Sequence, residues 1–68
     1  MKVKFKYTIC WVDNQAGRSP KVTVDDPNIA MYIAKKKVAD GMESVIINVS
    51  RAEEGMEDET FPAIEVED

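Results

Sequence analysis

Between Lys2 and Val12 the chain alternates with a period of two: Val3, Phe5, Tyr7, Ile9 and Trp11 fall on one side, and Lys2, Lys4, Lys6, Thr8 and Cys10 on the other. Successive side chains of a strand point to opposite faces, so this is the pattern of a β-strand with one face buried and one in water. Asp13 to Pro20 (DNQAGRSP) is turn chemistry, and Lys21 to Val24 (KVTV) then reads as a short second strand returning as a hairpin. Asp26 before Pro27 announces a helix. An N-cap Asp accepts an orphan amide hydrogen, Pro suits the first turn because its missing N–H costs nothing there, and the carboxylate complements the helix dipole. The helix is predicted from Pro27 to Asp40, with Gly41 placed to end it in the left-handed conformation and Lys35 to Lys37 in the last turns.

At 100° per residue Ala30, Ile33, Ala34 and Val38 share one side of this helix, with Tyr32, Lys35, Lys36 and Ala39 on the other. Lys37 points within the apolar stripe, where its methylene stem can cover the core while the ammonium reaches water. Val45 to Ser50 (VIINVS) is a β-branched run and predicts a third strand. Ala52 to Glu59 reads as an acidic loop around Gly55, and Phe61 to Val66 as a fourth strand that Pro62 confines to an edge. The expected fold is α+β: a small two-layer sandwich of ββαβ(β) order, a mainly antiparallel sheet packed on one helix. Residues 1–68 form a single small domain, with the acidic loop and C-terminal segment at 52–68, because a core of this size leaves no room for a second.

Charge changes the picture. Residues 1–51 carry all nine Lys and Arg against five acids, a surplus of +4, whereas Ala52 to Asp68 carries eight acids and no base. Such a split bears on partners and solubility more than on fold. With 44% hydrophobic residues the composition is that of a folded protein. Cys10 is the only cysteine, so no disulfide can form within the chain, and self-association is one remaining way to reinforce so small a core. The lysines that interrupt the N-terminal apolar residues are unlike a signal peptide, and no run approaches the ~20 apolar residues of a membrane-spanning helix. A cytoplasmic protein is expected, with no membrane partner.

Chemistry-bearing motifs are sparse. Histidine is absent, which removes the usual general base near neutral pH and the commonest transition-metal ligand. Cys10 lies on the lysine side of its strand but has no activating base in its neighbourhood of sequence, and Gly17, Gly41 and Gly55 are too far apart for a phosphate-binding loop. Asn48-Val49-Ser50 matches a glycosylation acceptor, but it falls within a strand. Glu53, Glu54, Glu57, Asp58 and Glu59 place five carboxylates within seven residues without the spacing of a calcium loop, which reads as a solvated acidic segment. No enzyme, cofactor or metal is expected.

Two surfaces remain for binding. The acids Glu53, Glu54, Glu57, Asp58, Glu59, Glu65 and Glu67 could engage a basic partner, a nucleic-acid-handling protein among them, by occupying the channel that phosphates would fill. The leading functional expectation is a small non-enzymatic binding protein whose acidic C-terminal region engages a basic partner; small acidic chains without enzymatic motifs are common among phage-encoded inhibitors, and a viral inhibitor or nucleic-acid mimic is one form it could take. Tyr32 with Lys35 and Lys36 is the best aromatic-plus-basic patch. Direct nucleic-acid binding is disfavoured, because alternation puts Phe5, Tyr7 and Trp11 opposite Lys2, Lys4 and Lys6 and the net charge is −4. The alternative is a structural or assembly module that acts through homodimerisation or strand addition.

Overall fold

The alternating N-terminal segment forms β1 (Val3–Val12), and the hairpin return forms β2 (Lys21–Val24), in register from Tyr7 opposite Val24 to Cys10 opposite Lys21. The structure is a computed structural model that describes residues 3–53 and 59–67, the side chain of Val3 excepted. Helix α1 (Pro27–Ala39) begins as its cap chemistry requires: the Asp26 carboxylate accepts from the amides of Asn28, at 2.8 Å, and Ile29, at 3.4 Å. It ends one residue earlier than expected, at an Asp40 cap, and Gly41 follows in the left-handed region at φ 85°.

The third strand is longer than its β-branched run. β3 (Glu43–Glu53) pairs antiparallel with β1 along nearly its whole length, so the ladder runs past the expected end at Ser50 through Arg51 and carries Ala52 and Glu53 into strand geometry where a loop was expected. Of the expected fourth strand over Phe61–Val66 only Ile64–Glu65 is strand, and another short strand precedes it at 59–60, where Glu59 was expected to close the loop. β4 (Glu59–Thr60) and β5 (Ile64–Glu65) both pair antiparallel with β3, at Ser50–Arg51 and Ile46–Ile47 respectively, and Pro62 lies in the break between them. The register shifts by one residue between them, from Thr60 opposite Ser50 to Ile64 opposite Ile47. The sheet order is β2-β1-β3-β4, with β5 also on β3. β2, α1 and β3 form a crossover with β1 lying between the two strands it joins.

One irregularity sits where β3 begins. Cys10 faces Ile46 but Val12 faces Glu43, so Ser44 and Val45 together oppose Trp11, and Ser44 takes a φ of 52°. An extra residue in the left-handed region is the signature of a β-bulge in which glycine is the usual occupant.

The core lies between the helix and one sheet face. Ile9 and Ala34 are fully buried, with Trp11, Ala30, Val45 and Ile47 close to it, and Tyr7, Val24, Ile33, Val38, Met42, Val49 and Val66 packed around them. The small alanines let the helix lie close to the sheet. Phe5 departs from the expected core: it shares the face of Tyr7, Ile9 and Trp11 yet is 41% exposed. Length explains this. Thirteen helical residues span about 20 Å, whereas the ten of β1 span about 33 Å, so the helix cannot cover the whole strand. The β1–β3 ribbon overhangs at its Val3 and Glu53 end, and the molecule is correspondingly elongated, 43 × 21 × 16 Å. Among the described residues no helix is long and apolar enough to cross a membrane.

Candidate binding surfaces

Carboxylates of the C-terminal segment fall on both faces of the sheet, Glu53 and Glu59 on the face of Phe5 and Arg51 and Glu65 on the face of Cys10 and Ile46. Glu53 closes β3, half-buried, and Glu59 opens β4, exposed. Both reach the same guanidinium: Arg51 lies 3.4 Å from Glu53 and 3.7 Å from Glu59. Arg51 stands between them because its ladder partner in β4 is Glu59 and Glu53 follows two residues along the same face of β3. Two of the seven acids are therefore partly neutralised from within the fold. Glu65 pairs with Ile46 in β5 and is exposed, and Glu67 lies just past it, also exposed; both border a shallow hollow with Ser44, Val45, Ile46 and Val66. Glu54, Glu57 and Asp58 lie outside the described residues. The structure thus separates Glu53 and Glu59, at the overhang, from Glu65 and Glu67, near the bulge end of β3.

Tyr32, Lys35 and Lys36 lie on the exposed side of α1, Tyr32 being 68% accessible, as their helical spacing implies. Ile29 and Met31, also exposed, widen that surface toward the helix start. Lys37 is half-buried, with its Nζ 4.8 Å from the centre of the Trp11 ring. The stem covers core and the ammonium rests on an aromatic face, an attraction between the cation and the ring quadrupole.

The sheet face away from the helix carries Lys4, Lys6, Thr8 and Cys10 of β1, with Lys21 and Thr23 of β2 and Asn48 and Ser50 of β3 beside them. The Thr8 and Thr23 hydroxyls are bonded across the hairpin at 3.0 Å, and the Asn48 side-chain amide donates to the Cys10 sulfur at 3.6 Å. Phe61, 40% exposed, borders this face near Thr60. Among the described residues no three carboxylates or thiols converge to hold a metal ion.

Sequence reasoning missed one surface. β2 pairs with β1 only from Tyr7 onward, so among the described residues the flank of β1 over Val3–Lys6 carries no strand. Beside it lies a recess of about 540 Å³ between Lys4, Phe5, Lys6, Tyr7, Asp25 and Pro27. The signal was present in the unequal lengths of the first two strands. No family model, no curated protein and no solved structure matches the chain. The class defined by the fold is a small α+β two-layer sandwich with a five-stranded antiparallel sheet and one helix.

Proposed function

We infer that this chain is a non-enzymatic binding protein whose acidic C-terminal region engages a basic partner, and that it acts as an inhibitor or nucleic-acid mimic, of phage type, on a nucleic-acid-handling protein. The observation that carries the reading is the anchoring of exposed carboxylates on paired backbone: Glu59 and Glu65 stand in strands hydrogen-bonded to β3, in a segment without a single base. Mimicry of phosphates needs charges held at fixed spacing, and a strand ladder supplies that at a lower ordering cost than a mobile loop. Charge-led association is fast and falls steeply with salt.

The test replaces Glu53, Glu54, Glu57, Asp58, Glu59, Glu65 and Glu67 with the corresponding amides together, then compares the two proteins as bait in a nuclease-treated extract at low and moderate salt. A truncation at Ala52 is the poorer variant, since it removes Val66 from the core. The expected result is a basic protein retained by the native chain and lost with either the amide substitutions or added salt. Retention indifferent to both would overturn the charge-led mechanism.

A second reading, a module that acts by homodimerisation or strand addition, is favoured by the open flank of β1. Sedimentation showing a monomer at every accessible concentration removes its dimer form.

A further inference from the structure

We propose that the open flank of β1, over Val3–Lys6, takes up an extended segment of a partner protein that alternates acidic and apolar residues, which adds to the sheet as a sixth strand. The inference rests on the strand-addition reading and is independent of the acidic C-terminal region.

Three features converge there. First, among the described residues the backbone of Val3–Lys6 is laddered to β3 on one side only, because β2 stops at Val24, opposite Tyr7, where the chain turns into the helix. A one-sided strand presents unpaired amide and carbonyl groups that an incoming strand can satisfy. Second, Lys4 and Lys6 are exposed on the uncovered face and alternate with Phe5 on the helix side. An added strand obeys the same period of two, so the positions opposite Lys4 and Lys6 suit carboxylates and the position opposite Phe5 points toward the recess. Third, the recess has Phe5, Tyr7 and Pro27 among its lining residues, with Lys4, Lys6 and Asp25 also bordering it. Phe5, Tyr7 and Pro27 give the recess an apolar side that suits an apolar or aromatic side chain, while Lys4 and Lys6 at its border draw carboxylates to the flanking positions. The result is a motif: acid, apolar residue, acid, in an extended peptide. A second copy joined symmetrically through the same flank would place Lys4 and Lys6 against their own counterparts, so like charges argue for a different partner.

The probe is a blocked synthetic heptapeptide, Thr-Glu-Val-Glu-Phe-Glu-Thr, titrated into the isotopically labelled full chain at low salt. Expected are amide shifts confined to residues 3–7, 25 and 26, and slowed hydrogen exchange within Val3–Lys6. Affinity should fall at least about tenfold in the Lys4→Glu/Lys6→Glu variant and in a peptide whose central Glu is Pro. Both lysines are exposed, so an unchanged thermal midpoint shows that the variant still folds. Equal binding of a peptide with Lys in place of Glu, or shifts centred on β4 and β5, overturns the proposal. If the lysines serve only to keep the edge unpaired, no peptide binds, and the proposal fails. A chain that sediments as a dimer and dissociates in the Lys4→Glu/Lys6→Glu variant would make a second copy the occupant and also overturn it. A basic protein still captured through the acidic region in any of these cases leaves that separate reading standing.

Discussion

Lys37 joins the surface of this protein to its core. Its Nζ lies 4.8 Å from the Trp11 ring centre, and Trp11 is only 7% exposed, so the pair closes the helix over the sheet at the edge of the buried cluster. Contacts of this kind contribute about 0.5–1 kcal/mol at partly exposed sites. Replacing Lys37 by Ala removes both the cation and the covering stem and should lower stability by about 1 kcal/mol, whereas Lys37→Met keeps the packing and should recover much of it. Urea unfolding followed by fluorescence of Trp11, the only tryptophan, reads the difference directly. Equal losses in the two variants would assign the effect to charge alone.

At the scale of elements, local chemistry and long-range pairing divide the work. Asp26 satisfies two amides at the helix start, and Asp26→Ala should cost about 1 kcal/mol in thermal or chemical unfolding. Ser44 shows the opposite situation. Its left-handed φ of 52° is imposed by the bulge against Trp11, and a serine Cβ is disfavoured there by roughly 1 kcal/mol. Ser44→Gly should therefore raise the urea midpoint; a lower midpoint would mean that the entropy glycine adds to the unfolded chain outweighs the relief of strain. β4 and β5 are too short to persist alone and owe their geometry to β3, which supplies their ladder partners among the described residues.

For the whole molecule, one small cluster holds two layers together. Ile9 is the largest side chain buried below 2% exposure, in contact with a core whose other members include two alanines. Truncating such a residue costs about 2–5 kcal/mol, a large share of what a domain of this size possesses. Ile9→Ala should leave the chain largely unfolded at 37 °C, seen as loss of near-ultraviolet circular dichroism. The overhang of the β1–β3 ribbon should tolerate more, since Phe5 is 41% exposed and the helix does not reach it. Exposed carboxylates on β4 and β5 and exposed lysines on β1 give the surface separate acidic and basic regions.

The sequence by itself determined the elements whose causes are local. The alternation of β1, the Asp26-Pro27 start, the Gly41 stop and the KVTV return of β2 are each written in a handful of neighbouring residues, and α1 buries Ala30 and Ala34 as its period requires. Among the acids, exposure of Glu59, Glu65 and Glu67 also follows from composition. Tertiary structure decided the rest, because it depends on partners distant in the chain. Arg51, Ala52 and Glu53 became strand residues because Phe5, Lys4 and Val3 were available to pair with them. β4 and β5 took registers on β3 one residue apart, and Glu53 and Glu59 met through Arg51 only once β4 had docked. Phe5 was left outside the core, and the flank beside it open, for the simplest of those reasons: a helix of about 20 Å lies over a strand of about 33 Å.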